Sequence, residues 1–154
     1  EDVVKNSFKE AYDEIDKNFN YMCKEILNNS IGNLSLLDET DLLESGVELM
    51  VKFKNKKYQS LSLLSGGEKS MVAVALIMAI FMYKPSPFTF FDEIEAALDE
   101  SNTKRLLRKL KEFTDRSQFI LITHNKHTMK ESDQLYGVTM NKEIGESKIL
   151  SVVL

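Results

Sequence analysis

Apolar residues recur through residues 4–27 at Val4, Phe8, Ala11, Ile15, Phe19, Met22 and Ile26, in gaps of four and three with charged residues between them. That period predicts one helix with a single apolar seam. The seam suits an amphipathic helix lying on a core and equally the end of a coiled coil. Asn28-Asn29-Ser30-Ile31-Gly32-Asn33 then breaks the helix with turn formers. Residues 34–37 and 47–53 read as short strands joined by an acidic connection. Val47, Leu49, Val51 and Phe53 alternate cleanly, so a half-exposed antiparallel hairpin layer is expected, with residues 58–63 leading out of it. A nearly continuous apolar stretch from Met71 to Met82 predicts a second helix.

Beyond Pro85 the pattern changes. Phe88-Thr89-Phe90-Phe91 and Phe119-Ile120-Leu121-Ile122 are unbroken apolar runs, residues 101–113 form an amphipathic helix between them, and residues 134–140 and 148–153 read as two more strands. Strands without alternation are buried on both faces, and such runs separated by helices predict an α/β fold with a mostly parallel sheet flanked by helices. At 154 residues and 43% hydrophobic content the chain can bury the core of one domain. No repeats or low-complexity segments interrupt it.

A formal charge of −4 argues against a chain-wide basic surface for nucleic acid. The lysines at 52, 54, 56 and 57 can touch a backbone phosphate or simply solvate strand ends. Cys23 is the sole cysteine, which excludes disulfides and cysteine-based zinc sites within the chain and fits a reducing compartment. The apolar run after Met71 stops at Lys84-Pro85, short of a membrane span, and the charged N-terminus lacks the apolar core of a signal peptide. These features predict a soluble, intracellular protein.

Ser65-Gly66-Gly67-Glu68-Lys69 opens the second helix. Two adjacent glycines leave bare backbone N–H groups at the positive end of a helix dipole, where an anion such as phosphate binds. Ser65 with Glu68 three residues on is equally a capping box that needs no ligand. Asp92-Glu93 stands at the carboxyl end of an apolar strand, where ligands bind in open α/β sheets. One carboxylate there can hold Mg²⁺ while the other orients and deprotonates water; an acidic turn capping the next segment is the plainer alternative. His124 ends the next apolar strand, placed to sense a γ-phosphate or to be an ordinary loop residue. His127 has no such placement. Asp99, in Ala97-Leu98-Asp99, is a helix cap or part of a turn beside a nucleotide.

Taken in order, these segments resemble ABC-type ATPases: Leu64-Ser65-Gly66-Gly67-Glu68 their signature motif, residues 88–93 their Walker B strand with its catalytic glutamate, Ala97-Leu98-Asp99 their D-loop and Thr123-His124-Asn125 their switch histidine. Lys69 after the motif, Pro85-Ser86-Pro87-Phe88, the stretch from Ile94 to Asp99, Gln118 to Lys126 and Tyr136-Gly137-Val138-Thr139-Met140 sharpen this. They are similar to the C-terminal ATPase head segment of SMC (structural maintenance of chromosomes) proteins. The likeness runs from about Phe8 to the end and departs most at residues 28–33, where the family has a glycine-rich turn after a Leu-Phe pair.

That resemblance implies a C-terminal lobe of an ABC-type head, with residues 1–30 as a helix at the coiled-coil junction and residues 31–154 as half a head. The six glycines, Gly32, Gly46, Gly66, Gly67, Gly137 and Gly145, nowhere fit Gly-x-x-x-x-Gly-Lys-Ser/Thr, so the loop that cradles the β- and γ-phosphates is absent from this sequence. SMC proteins carry that loop in an N-terminal segment, and two heads sandwich ATP. The resemblance therefore implies an Mg²⁺-dependent ATPase, inactive without the N-terminal half, with Asp92 at Mg²⁺, Glu93 as general base and His124 at the γ-phosphate in the same head. Ser65, Gly66, Gly67 and Glu68 would serve the nucleotide of the partner head, and Asp99 would lie at the seam. Implied partners are the N-terminal head segment, a second SMC head, a kleisin subunit and DNA, with no membrane. The work is chromosome condensation and segregation, on the bacterial nucleoid or in the eukaryotic nucleus. Two other readings stand beside it: a related double-strand-break repair ATPase, and a module that mainly docks a kleisin. Gly137 to Met140 and Asn125-Lys126 favour SMC over the repair ATPase.

Overall fold

In the computed structural model, residues 2–38 and 40–152 are described. They form two compact units, divided between Ile122 and Thr123. Within the first, helix α1 (Asp2–Ile26) packs along helix α2 (Gly66–Tyr83) and also meets strand β1 (Ile31–Leu36) and helix α3 (Glu100–Lys111). The seam predicted for α1 is buried only in its second half: Phe19, Met22, Cys23, Ile26 and Leu27 enter the core, whereas Val3 and Val4 are exposed. Burial pushes the Cys23 thiol up to about 12, so it serves as a small apolar residue rather than a reactive one.

The turn after α1 is shorter than its polar composition predicts. Asn28 and Asn29 take left-handed φ values of 55° and 60°, a conformation asparagine tolerates better than most residues. Ile31, Gly32 and Asn33 then already belong to β1 (Ile31–Leu36) rather than to the turn. The reason lies against α1, where a Cβ on Gly32 would stand 2.8 Å from Phe19 Cε1 and overlap Cys23 Sγ. Glycine here admits close strand-to-helix packing. Tyr12 and Asp16 complete the join: the Tyr12 hydroxyl donates to Leu34 O at 2.7 Å, and Asp16 accepts from Leu34 N.

β1 pairs antiparallel with β2 (Val47–Lys52), and β2 with the short β3 (Gln59–Ser60), giving the expected small antiparallel layer. A 3₁₀ turn at Leu61–Leu63 delivers the chain to α2. This helix starts at Gly66, earlier than the apolar run, because its N-terminal box draws polar residues into the first turn. By length and composition α2 is then apolar enough to cross a membrane, contrary to the expectation that no run reaches that size. In the first unit it lies in the core, burying Val72, Val74, Ala75, Met78, Ala79 and Phe81.

The expectation of a mostly parallel sheet is corrected. Among the described residues one pair is parallel, β4 (Phe88–Asp92) with β5 (Gln118–Ile122). β6 (Leu135–Asn141) and β7 (Glu146–Val152), in the second unit, pair antiparallel as a two-stranded ribbon. Val153, the expected end of the last strand, and Glu39 of the acidic connection lie outside the described residues. Also corrected is burial of β4 and β5 on both faces. Phe91 and Phe119 stack at 6.0 Å on the core side, where Phe119 also meets Phe81 at 5.4 Å. On the opposite face Phe88 is 55% exposed, Phe90 61% and Ile122 55%.

Candidate functional site

The start of α2 is built by its own sequence. Ser65 is the N-cap, its hydroxyl oxygen accepting from Glu68 N at 3.4 Å, while the Glu68 carboxylate accepts from Ser65 N at 3.0 Å and from the Ser65 hydroxyl at 2.8 Å. The capping alternative is therefore realised. It explains Ser65 and Glu68 and leaves the glycines unexplained. Neither Gly66 nor Gly67 has a positive φ. A Cβ on Gly66 would meet nothing within 4 Å, and one on Gly67 only Ala97 O at 3.8 Å. Within the chain, then, neither backbone conformation nor crowding calls for glycine at these positions.

Glu68 has a third partner. Lys56 Nζ donates to its Oε1 at 2.9 Å from the turn between β2 and β3. The Lys56 hydrogen bond, with those from the Ser65 N–H and hydroxyl, holds the Glu68 carboxyl well below its ordinary 4.5, at about 2. A depressed carboxyl pKa stabilises the fold fully above pH 4.5, and that contribution fades as the pH falls toward about 2. Nothing in the periodicity of the sequence pointed to this pair.

Asp92 ends β4 on the uncovered face of the parallel pair, in line with Phe88 and Phe90 by strand alternation. The backbone turns sharply at the next residue. Glu93 adopts a left-handed φ of 46°, and its N–H donates to Ile122 O at 2.9 Å. For a non-glycine residue that conformation costs on the order of 1 kcal/mol or more, and such strain gathers at functional sites. It has no sequence signal, since glutamate is not a residue that predicts it. From Glu93 two successive tight turns, Ala96 N to Glu93 O and Leu98 N to Glu95 O, both 2.9 Å, carry the chain to Asp99. Glu95 is buried in this loop while Asp92 and Glu93 are exposed.

Asp99 caps α3, accepting from Asn102 N at 2.8 Å. Asn102 in turn donates to Met71 Sδ at 2.9 Å. That contact, and the approach of Ala97 O to Gly67, place the loop from Glu93 to Asp99 beside the first turn of α2. The first unit thus brings Ser65 to Glu68 and Asp99 together on one surface, with Asp92 and Glu93 at the start of the same loop. His124 belongs to the second unit, exposed between the end of β5 and helix α4 (Lys126–Glu131). Asn125 after it caps α4, its side chain accepting from the His127 backbone N–H at 2.8 Å.

Asp92 offers a hard carboxylate oxygen at a strand end, which suits Mg²⁺. That ion is characteristically held by one or two carboxylates together with substrate phosphates and water, rather than by an all-protein cage. Among the described residues no three His, Cys, Asp or Glu side chains form such a cage. The start of α2, where Gly66 and Gly67 put no side chain over the backbone at the positive end of the helix, suits a phosphate.

The sequence profile of the RecF/RecN/SMC N terminal domain family matches residues 4–146. A "Chromosome partition protein Smc" of Fusobacterium nucleatum is 67% identical over 148 residues, which are 96% of this chain and 12% of that protein. The chain thus spans about one-eighth of that relative's length. Among solved structures, the Smc head domain of Pyrococcus furiosus with an extended coiled coil, bound to the C-terminal domain of ScpA, superposes with a TM-score of 0.87 at 36% identity. The match covers 97% of this chain and 37% of that one. A structure described under ATP-driven dimerization and DNA stimulated activation of SMC ATPases has a TM-score of 0.87 at 34% identity, covering 96% of this chain and 89% of that one.

Proposed function

The chain belongs to the RecF/RecN/SMC N terminal domain family, and from that premise we propose that it is the C-terminal half of an SMC ATPase head. In this reading it hydrolyses ATP between two engaged heads to drive chromosome condensation and segregation. One observation carries the half-head reading: the parallel pair β4–β5 is apolar on both faces but covered on one, with Phe88, Phe90 and Ile122 exposed beside Asp92. Parallel strands are ordinarily sandwiched, and an exposed apolar patch of this kind marks a surface that another segment covers. The natural occupant is the N-terminal head segment, which would bring the missing phosphate loop to the end of β4 where Asp92 stands.

Each residue then has a stated task. Asp92 would hold Mg²⁺, which when bound neutralises charge on the phosphates. Glu93 accepts the proton of the attacking water, its carboxylate aimed from a strained backbone. His124 donates to a γ-phosphate oxygen of the same nucleotide. Ser65, Gly66 and Gly67 meet the nucleotide of the second head through hydroxyl and backbone N–H, which accounts for two glycines that the fold itself does not require. Glu68 organises that helix start, and Asp99 stands beside it at the seam. A kleisin subunit and DNA are further partners in this reading, with the protein acting on the bacterial nucleoid in the cytoplasm.

Mixing two inactive variants of the full-length protein tests the division of labour. Glu93→Gln and Ser65→Arg should each lower turnover by about a hundredfold alone. A mixture should recover activity, because a mixed dimer has one site with an intact Glu93 from one head and an intact Ser65 from the other. If all these residues served the nucleotide of their own head, mixing would recover nothing.

A further inference from the structure

The start of α2 carries an inconsistency: a helix N-terminus suited to an anion holds the carboxylate of Glu68 in its first turn. An unpaired carboxylate so close to a phosphate repels it. Among the described residues, the cation paired with Glu68 is Lys56, 2.9 Å away and twelve residues earlier in the chain. Its placement is built in. The turn from Phe53 to Lys56 closes with Lys56 N donating to Phe53 O at 3.0 Å, Asn55 takes a left-handed φ of 65°, and Lys56 Nζ lies 5.5 Å from the centre of the Phe53 ring. Phe53 itself packs against the core.

We propose that Lys56 is a positioning residue for the phosphate contact of α2: by pairing with Glu68 it cancels the carboxylate's charge and leaves the helix start able to receive an anion. The two oxygens of Glu68 divide the work. Oε2 holds the Ser65 N–H and hydroxyl, and Oε1 faces Lys56. Loss of the ammonium would free a negative charge next to Gly66 and Gly67 without dismantling the cap.

The inference rests on the reading of Ser65 to Gly67 as a contact to the nucleotide of the second head, and the test separates the two. ATP-driven dimerization of the full-length protein is measured by sedimentation for Ser65→Arg, Lys56→Met, Lys56→Arg and the double variant Lys56→Met/Glu68→Gln. Glutamine preserves the capping box while removing the charge. Lys56→Met should weaken ATP-driven dimerization roughly tenfold, the worth of one charge-assisted contact. Binding of ATP to the monomeric head should be unchanged. Lys56→Arg should restore dimerization, and so should the double variant, an outcome a purely structural role for Lys56 would not give. A double variant as weak as Lys56→Met, or a Lys56→Met protein that dimerizes normally while Ser65→Arg does not, overturns the role of Lys56 alone. Normal dimerization of Ser65→Arg overturns the underlying reading.

Discussion

Full-length protein carrying Glu93→Gln is expected to turn over ATP at least about a hundredfold more slowly than the parent, the usual cost of losing one well-placed general base. ATP binding and head dimerization should persist, since the amide keeps the size and hydrogen-bonding reach of the side chain and loses only its basicity. The backbone supplies a second arm. Because Glu93 holds a left-handed φ of 46°, Glu93→Gly should be as inactive as Glu93→Gln yet melt at the same or a higher temperature, by relief of about 1 kcal/mol of strain. A change that removes activity while stabilising the protein is the expected mark of a residue retained for chemistry. Unaltered turnover in Glu93→Gln would show that another group takes the proton.

The largest expected loss of stability comes from the other end of α3. Lys109 is 2% exposed, and its ammonium reaches Glu112 at 2.7 Å, Glu25 at 2.8 Å and the Tyr21 hydroxyl oxygen at 2.9 Å, with the Tyr21 ring centre 5.0 Å away. Burial alone would lower its pKa. The hydrogen bonds to Glu112, Glu25 and Tyr21 outweigh that and raise it above the ordinary lysine value. A raised lysine pKa means the contribution is complete at neutral pH and is lost only as the pH climbs beyond the ordinary value of 10.5. Glu25 and Tyr21 lie on α1, so this cluster fastens the helix proposed to continue toward the coiled coil to the helix capped by Asp99.

Glu25→Gln/Glu112→Gln strands the buried cation and should cost about 3–5 kcal/mol, a fall in melting temperature of roughly 10 °C for a domain of this size. Lys109→Met should cost much less, because methionine keeps an unbranched stem in the buried position and the two carboxylates, 35% and 51% exposed, can turn to water. Thermal unfolding of the full-length variants at neutral pH distinguishes the two. Equal losses would mean that packing, not charge, is what Lys109 provides.

These features differ in how far they were legible in the sequence. Period alone located α1, α2, α3, β4 and β5, because each carries apolar side chains at the spacing its geometry demands. Burial was harder to read. Phe88-Thr89-Phe90-Phe91 is written as a strand covered on both faces, yet within this chain Phe88 and Phe90 are exposed. The pattern records which positions are apolar and not whether this chain covers them. Gly32 looked like part of a turn and is a packing glycine against Phe19 and Cys23, a distinction that depends on residues distant in sequence.

At the site, Ser65, Glu68 and Asp99 announced themselves as helix caps through local spacing. The Lys56 contact to Glu68, the strain at Glu93 and the burial of Lys109 depend on tertiary placement and left no periodic trace. Glycine was the most telling residue in both settings. Gly32 is explained by what touches it inside the fold, whereas Gly66 and Gly67 are not, and that contrast directs attention outside the chain.

Nucleotide binding tests the central claim most directly, measured by calorimetry with ATP and Mg²⁺ on this chain alone and on this chain joined to the N-terminal head segment of the same protein. Half a site that lacks its phosphate loop should bind ATP negligibly by itself and bind it with the N-terminal segment present. Strong binding of ATP by the isolated chain would contradict the account.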